Sequence, residues 1–480
     1  MNRAIVRVFV VCAALFGVLI VNLTYLQVVA APALKKSPQN HLQAAQQLKI
    51  RRGAIRAFDG SVIAGVRASS GSYQRTYPQG ALAAHVVGYD SVRFGRSGIE
   101  RSMDEYLSGQ ATDLGVQIWI DRLLGRRPKG ADVTLTIVPA VQRVAEQQLA
   151  GKRGAIVVLD PASGAVIASA SAPSFSPATL DQRWAALRAA DAAPLLDRAD
   201  QALYPPGSSF KVLTAAAGLD GHVVSPSSPF VDTGTYMVSG GKVANYGGEV
   251  LGAHTFTQAL TFSVNTTFAK VGVRLGRERL VSAMQHLGFW SLPPLELPAG
   301  QVRVSGRYDG GTRLSPSAPM DPLAVAWAAC GQEKVLATPL QMALVAAAVA
   351  NDGRLMKPYL VQKITAAGGQ VVRTARPQQW LQAMTSRTAA QLNAMMQQVV
   401  KAGTGTAAAL SGISVAGKTG TAETGRPGIN QAWFIAFAPA ESPRVALAVS
   451  IEGTSATGGE VAAPLAAAVL RVALSQGALP

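Results

Sequence analysis

Cysteine is scarce in this sequence of 480 residues, which contains only Cys12 and Cys330. Cys12 lies in an apolar run near the N-terminus, and Cys330 lies in an apolar stretch of the main body. Neither has a histidine or a second cysteine nearby, so the sequence predicts neither a disulfide nor a metal site. We expect each to be a small buried apolar residue, and we predict no cofactor.

Internal repeats are absent as well, which argues against a solenoid or a propeller. Acidic residues are outnumbered by Lys and Arg, 27 against 44, giving a net charge of +17. This charge favours an anionic partner, but no zinc finger, basic helix or aromatic stacking motif predicts nucleic-acid binding. An anionic membrane surface or a polyanionic wall fits equally well, as does a basic surface that only faces solvent. The length suits two or three domains.

Charge is also missing from residues 8–29, which Arg3 and Arg7 precede. As a helix rising ~1.5 Å per residue, this stretch would cross a hydrocarbon core of ~30 Å. We therefore predict a tail over 1–7 and a transmembrane anchor over 8–30. The two leading arginines favour a cytoplasmic N-terminus and an exported main body. A cleaved signal peptide is the alternative, and it also exports the main body.

The first region after the anchor, residues 31–150, has mixed and irregular patterns. A polar stalk is predicted over 35–47, and two short strands are predicted on either side of the turn at Asp59-Gly60. An amphipathic helix over 98–107 and a strand over 133–137 follow. We expect a small mixed domain here.

The second region, residues 151–480, begins and ends with strand patterns. Apolar runs on both sides of proline- and glycine-containing turns predict hairpins over 155–168 and 433–451. The remaining patterns predict helices over 207–218, 255–273, 338–350 and 462–473, and a strand over 413–423. This order predicts an α+β fold, in which one antiparallel sheet contains strands from both ends of the region and a helical cluster lies beside it.

A first candidate for chemistry is the segment Tyr204–Lys211, Tyr-Pro-Pro-Gly-Ser-Ser-Phe-Lys. The two prolines prevent a helix before Gly207, and a helical pattern follows, so Ser208 lies near a helix start. Ser208 and Lys211 are three residues apart and share one helix face. A hydroxyl beside an amine is a suitable pair of nucleophile and base. A plain helix N-cap at Ser208 is the alternative.

Two further segments follow in order, Ser263-Val264-Asn265 and Lys418-Thr419-Gly420-Thr421. Either one alone is a common pattern of a polar turn or a strand end. With Ser208-x-x-Lys211 they form an ordered set of three, and that set is far more specific than its parts. A second Ser-x-x-Lys at 239–242 lies among glycines with no helix start and is treated as a coincidence.

The ordered set resembles the Ser-x-x-Lys, Ser-x-Asn and Lys-Thr-Gly motifs of the penicillin-binding proteins and serine β-lactamases. The Pro-Pro-Gly-Ser and Lys-Thr-Gly-Thr-Ala-Glu sequences resemble the transpeptidase members. Arg52-Gly53 and Gly98-Ile99-Glu100 resemble the non-catalytic pedestal of class B penicillin-binding proteins, although Ala57-Phe58-Asp59-Gly60 departs from the Asp-Arg-Asn-Gly common there. The resemblance implies a penicillin-binding transpeptidase fold over 151–480, a structural pedestal over 31–150, and one transmembrane helix.

The resemblance also implies roles for individual residues. Ser208 would attack the carbonyl between two terminal D-alanines, and Lys211 would accept its proton with a pKa lowered by burial and by a second cation, Lys418. Asn265 would hold Lys211 and the substrate amide, and Ser263 would pass a proton to the leaving amine. The N–H groups of Ser208 and Thr421 would bind the oxyanion. The predicted catalytic residues are Ser208, Lys211, Ser263, Asn265 and Lys418, and the predicted substrate-binding residues are Thr419, Gly420 and Thr421.

The implied activity is penicillin-sensitive D,D-transpeptidation, which cross-links peptidoglycan for growth or division. The implied partners are peptidoglycan stem peptides and their lipid-linked precursor, β-lactams as covalent inhibitors, the membrane, and a polytopic membrane glycosyltransferase. A D,D-carboxypeptidase would use the same residues, and a non-enzymatic β-lactam-binding scaffold is a further alternative. A β-lactamase is disfavoured, because no Glu-x-x-Leu-Asn sequence follows Asn265 closely.

Overall fold

A computed structural model of the chain describes residues 2–29, 48–69, 71–114, 129–426, 428–477 and 479–480. The predicted stalk over 35–47 and the boundary at residues 30 and 31 lie outside them. Within these residues the α-helices are α1 Asn2–Thr24, α2 Ala84–Val87, α3 Gly98–Ser102, α4 Asp104–Leu107, α5 Pro139–Gln148, α6 Leu180–Ala189, α7 Lys211–Asp220, α8 Phe256–Thr261, α9 Asn265–His286, α10 Pro322–Ala328, α11 Pro339–Ala350, α12 Ser386–Ala402 and α13 Ala463–Ser475.

The strands are numbered in chain order. They are β1 Ile55–Arg56, β2 Val62–Ser69, β3 Ser72–Thr76, β4 Asp90–Ser91, β5 Gly95–Arg96, β6 Asp132–Leu135, β7 Gly154–Leu159, β8 Val166–Ala172, β9 Pro229–Asp232, β10 Thr235–Val238, β11 Gly241–Ala244, β12 Gly252–Thr255, β13 Gly306–Asp309, β14 Thr312–Arg313, β15 Val335–Leu336, β16 Arg354–Met356, β17 Val361–Thr365, β18 Val371–Thr374, β19 Gln379–Gln382, β20 Ala416–Arg426, β21 Ile429–Ala438 and β22 Val445–Thr454.

A five-stranded antiparallel sheet, in the order β20-β21-β22-β7-β8, forms the centre of the larger region. Its middle strands β7, β21 and β22 are almost continuous apolar runs because both of their faces are buried. Strand β22 pairs with β7, so the C-terminal strands join the N-terminal hairpin as the sequence predicted. Strand β20 lies at one edge of the sheet.

Helices pack on this sheet and bury its apolar faces. Helix α11 is buried along its length, since only its last residue, Ala350, is partly exposed. It begins after Thr338, whose Oγ1 accepts a hydrogen bond from the Gln341 N–H at 3.1 Å, and Pro339 occupies the first helical position, where no N–H is needed. The result is an α+β body with a helical cluster beside its sheet.

The N-terminal region has a six-stranded sheet in the order β18-β17-β6-β1-β2-β3. Strands β1 and β2 flank the predicted Asp-Gly turn, and Gly60 there has a φ of 83°. Two of the six strands, β17 and β18, come from residues far along the chain. Strand β17 pairs antiparallel with β6, and the sheet therefore joins the two predicted regions.

Three predicted elements have different bounds or breaks in the structure. The single helix expected over 98–107 is two short helices, α3 and α4, separated at Met103. The helix expected over 255–273 is broken between α8 and α9 at residues 262–264, where Ser263 has a φ of 62°. The strand expected from residue 413 begins at Ala416. Sequence periodicity could not detect these breaks because the residues on both sides keep an apolar helical pattern.

Among the described residues, two helices are long and apolar enough to cross a membrane. The span at Arg3–Val28 has a mean hydropathy of 2.8 and is not buried by the rest of the protein. Cys12 is therefore exposed on α1, contrary to the expectation of burial, whereas Cys330 is buried. In the other span, Gly458–Ser475, half of the residues are buried in the body, as in a core helix.

Candidate active site

The Ser208 segment forms a tight turn that leads directly into a buried helix. Gly207 has a φ of 53°, which glycine adopts without strain, and its N–H donates to Gly331 O at 2.9 Å. A 3₁₀ turn over Gly207–Phe210 continues into α7. Ser208 is half-buried and lines a cleft of about 870 Å³. Its N–H lies in the first turn, where backbone N–H groups have no partner within the helix.

Lys211 is completely buried beneath this turn, and its amine contacts the second motif. Its Nζ donates to Ser263 O at 2.6 Å, to Asn265 Oδ1 at 2.7 Å and to Ser263 Oγ at 3.2 Å. Asn265 also donates from Nδ2 to Ala244 O at 2.8 Å, which fixes its orientation and leaves one N–H available. The break before α9 therefore places the motif against the lysine.

Lys418 approaches the same hydroxyl from the edge strand β20. Its Nζ donates to Ser263 Oγ at 2.9 Å and to Thr419 O at 2.9 Å, and it too is completely buried. Ser263 Oγ thus lies between two lysine amines. A chain of hydrogen bonds links Lys418, Ser263 and Lys211, and a proton can move along such a chain.

The glycine of the Lys-Thr-Gly sequence lets β20 lie directly against the Ser208 turn. A Cβ atom at Gly420 would be 2.8 Å from Pro206 O and 3.0 Å from Ser209 N. A Cβ at Gly207 would be 3.0 Å from Thr421 O. The three sequence segments therefore converge in one cleft, although they are far apart in the chain.

Burial and like charge lower the pKa of both lysines. Burial lowers the pKa of Lys211 to about 8, and Cys330 opposes this slightly. The pKa of Lys418 is well below its usual value because of burial first and repulsion from Lys211 second. The sequence interpretation expected burial and a second cation to lower the pKa of Lys211, and burial is the largest cause of the lowered pKa of both lysines. Two carbonyl-type oxygens hold the Lys211 ammonium, whereas Lys418 has one.

The two threonines after Lys418 face the cleft. Thr419 Oγ1 and Thr404 Oγ1 are hydrogen-bonded at 2.6 Å, and Thr421 Oγ1 accepts from the Gly458 N–H at 3.2 Å. Thr404 lines the cleft but was missed in the sequence, where its only signal is the turn Gly403-Thr404-Gly405 after a helical pattern. Within the described part of the chain, no three His, Cys, Asp or Glu side chains are placed to hold a metal ion.

The two pedestal motifs also meet in space, at a site separate from the cleft. Arg52 Nη2 and Glu100 Oε2 are 2.8 Å apart, and Glu100 is completely buried. The Gly53 N–H donates to Leu107 O at 2.8 Å. These contacts fit the structural role that the sequence interpretation gave to both motifs.

Comparison with known families agrees with this geometry. A profile described as "Penicillin binding protein transpeptidase domain" matches residues 154–471, and one described as "Penicillin binding protein A dimerisation domain" matches residues 52–133. The chain belongs to the penicillin-binding protein family. The transpeptidase match covers more than half of the chain, and it includes all three motifs of the cleft.

Individual relatives are similar over nearly the whole chain. The peptidoglycan D,D-transpeptidase PbpA of Mycolicibacterium smegmatis is 35% identical over 509 residues, covering 99% of this chain and 100% of the relative. The penicillin G acyl-enzyme complex of penicillin-binding protein A from Mycobacterium tuberculosis is 34% identical with a TM-score of 0.80, covering 88% of this chain and 100% of that one.

A third similar structure is the D,D-transpeptidase domain of a peptidoglycan glycosyltransferase from Eggerthella lenta. It is 37% identical with a TM-score of 0.79 and covers 89% of this chain and 98% of that one. These comparisons confirm the predicted family and the predicted penicillin-binding transpeptidase fold.

Proposed function

We propose that this chain is a membrane-anchored, penicillin-sensitive serine D,D-transpeptidase of cell-wall synthesis. The observation that supports it best is the cleft in which the Ser208 turn lies above two buried lysines that share the Ser263 hydroxyl. The relatives named D,D-transpeptidase support the same reaction. The proposed substrate is a stem peptide that ends in D-Ala-D-Ala.

In the first half-reaction Ser208 Oγ attacks the carbonyl of the penultimate D-alanine. Neutral Lys211 accepts the hydroxyl proton, and the carbonyl oxygen becomes an oxyanion. The N–H groups of Ser208 and Thr421 donate to that oxyanion, and one such donor is typically worth ~2.7–4 kcal/mol. When the C–N bond breaks, an ester remains on Ser208. Ser263 Oγ gives a proton to the departing D-alanine nitrogen and regains one from a lysine.

Burial suggests how Lys211 becomes neutral. Because burial lowers the pKa of Lys211 to about 8, part of the free protein has a neutral Lys211 near neutral pH. A substrate carboxylate bound at Thr419 and Thr421 would favour a cation on Lys418. That cation would in turn disfavour a proton on Lys211 and keep Lys211 available as the base.

In the second half-reaction an amine of another stem peptide attacks the ester. The nitrogen loses a proton to Lys211 as the new amide bond forms, and Ser208 Oγ regains its proton. Water in place of the amine would give the D,D-carboxypeptidase reaction. A β-lactam would follow the first half-reaction and remain as an ester on Ser208.

Covalent labelling tests the nucleophile. The native chain should be labelled by a fluorescent penicillin, and Ser208→Ala should not be, while Ser239→Ala, in the other Ser-x-x-Lys, should be labelled normally. Labelling that survives Ser208→Ala would refute the assignment. A folded native chain that is never labelled would favour a non-enzymatic scaffold. Release of D-alanine without dimer formation, from a donor peptide and an amine acceptor, would favour the carboxypeptidase.

Topology and partners are part of the same proposal. Residues 1–7 would lie in the cytoplasm, 8–30 in the membrane, and the pedestal (31–150) and transpeptidase domain (151–480) outside. A polytopic membrane glycosyltransferase is the proposed protein partner. Replacing residues 8–30 and the pedestal with those of an unrelated single-anchor protein should abolish co-purification with that partner. Unchanged co-purification would count against the proposal.

A further inference from the structure

The charge of the cleft lining is opposite to that of the whole protein. The chain has a net charge of +17, yet the charged residues that line the cleft, within the described part, are all acidic: Asp232, Glu249, Glu333 and Glu423. Asp232 is held by Thr266, Asn245 and backbone N–H groups, and Glu333 pairs with Arg307. Among the described side chains, none pairs with Glu249 or Glu423, and of these two only Glu423 lies on β20.

Glu423 has a defined place relative to the proposed reaction. Successive side chains of a strand alternate between faces, so Thr419, Thr421 and Glu423 of β20 face the same side, and all three line the cleft. Thr419 is buried, Thr421 is half-buried and Glu423 is exposed, so this face of the strand runs from the cleft floor to its rim. Two residues of strand advance about 7 Å.

A peptide bound alongside β20 would bring one residue to that rim. In this pose the terminal carboxylate of the peptide is at Thr419 and Thr421, and its reacting carbonyl is at Ser208. The residue that precedes D-Ala-D-Ala then lies about one residue further along the strand, near Glu423. In a stem peptide that bears a diamino acid before D-Ala-D-Ala, this residue carries a side-chain ammonium. The carboxylate of Glu423 is complementary to this ammonium.

We propose that Glu423 is a specificity-determining residue that binds the side-chain ammonium of a diamino acid in the stem peptide. The inference rests on the proposed function. The same ammonium occurs on the donor peptide, before D-Ala-D-Ala, and on the acceptor peptide, whose amine attacks the ester. The test therefore has a donor arm and an acceptor arm.

The donor arm compares two peptides, Nα-acetyl-L-Lys-D-Ala-D-Ala and Nα,Nε-diacetyl-L-Lys-D-Ala-D-Ala. The assay measures D-alanine release at neutral pH. For the native chain, kcat/KM should be about fivefold higher with the peptide that has the free ammonium than with the diacetyl peptide, as one partly exposed ion pair allows. Glu423→Gln should reduce the ratio to about one, and Glu423→Lys should invert it. The matched control Glu278→Gln removes an exposed carboxylate that does not line the cleft, and it should keep the native ratio.

The acceptor arm uses the diacetyl donor with Nα-acetyl-L-lysine as the attacking amine. If Glu423 binds the acceptor, Glu423→Gln should raise the KM for that amine about fivefold. The control variant Glu278→Gln should keep the native KM. A change in either arm supports the inference and identifies which peptide is bound. If the donor ratio and the acceptor KM are both unchanged in the Glu423 variants, the inference is overturned. A native chain that releases no D-alanine from either donor would overturn the proposed function itself, and this inference with it.

Discussion

Two groups of buried or partly buried cations in this molecule have opposite surroundings. In the pedestal, Arg52, Arg75 and Arg96 contact three carboxylates, those of Asp90, Glu100 and Asp104. Beneath the cleft floor, Lys211 and Lys418 share a hydroxyl, and no described carboxylate forms an ion pair with either amine.

The difference appears directly in the pKa values. By itself, burial would lower the pKa of the Arg52 guanidinium. Glu100 and the other carboxylates outweigh burial and raise this pKa above its usual value. Burial lowers the pKa of Lys211 to about 8, and nothing of comparable strength opposes it. A buried cation with carboxylate partners is fixed in its charged form and serves structure. A buried cation without them can lose its proton and serve chemistry.

The largest expected effect comes from removing the amine of Lys211. Lys211→Gln should lower the second-order rate constant for acylation by penicillin G about 10²- to 10⁴-fold, because a general base typically contributes that much. The melting temperature should change little, because the loss of a buried cation without a carboxylate partner is offset by the loss of its hydrogen bonds to Ser263 and Asn265. Lys334→Gln, which removes an exposed lysine, is the control. A loss of less than tenfold would contradict the role of Lys211 as base.

The second effect tests the pedestal group. Glu100→Gln should lower the free energy of unfolding by about 3–5 kcal/mol, because it leaves Arg52 and Arg75 buried without their shared carboxylate. Urea unfolding measures this, and Glu105→Gln, at an exposed position of α4, should change it little. Penicillin acylation of the folded fraction should remain near the native rate. Loss of acylation in protein that is still fully folded would contradict a purely structural role.

A third effect concerns the contact between β20 and the Ser208 turn. Gly420→Ala should cost about 1–3 kcal/mol of stability and slow acylation, because its Cβ would lie 2.8 Å from Pro206 O and 2.9 Å from Trp433 Cβ. Gly368→Ala is the control, since a Cβ there meets no atom within 4 Å. Equal stability and equal acylation in the two variants would show that the strand has room to move.

The smallest effect is the pH dependence of acylation. The second-order rate constant reports groups of the free protein, and Lys211 must be neutral to act as base. With a pKa of about 8, Lys211 gains a proton as the pH falls, so the rate should drop about tenfold per unit well below pH 8 and level off above it. A rate that rises as the pH falls would contradict the assignment.

Local patterns in the sequence predicted much of the fold. The hairpin of β7 and β8 and that of β21 and β22 have apolar runs on both sides of turns with proline or glycine, and both signals are local. The addition of β17 and β18 to the pedestal sheet could not be predicted in this way. It depends on pairing between residues more than 200 positions apart, for which a single sequence has no local signal.

The sequence predicted which residues meet in the candidate site, but it predicted less well the protonation of the two lysines there. The motif order identified Ser208, Ser263 and Lys418 as residues that should meet. The lowered pKa values of the two lysines come first from complete burial, and only the folded structure determines how deeply each amine is buried. Thr404 was missed because it lies outside the motifs and meets Thr419 only in the folded chain.

The hairpin of β17 and β18 has a practical consequence for dissecting the protein. A fragment that begins at residue 151 keeps this hairpin but loses β6, the strand to which β17 is hydrogen-bonded. The fragment would therefore present an open row of backbone N–H and C=O groups, a template for aggregation. A soluble fragment for crystallisation should start early enough to include β1 and β6. Heating such a fragment should melt both regions in one cooperative transition.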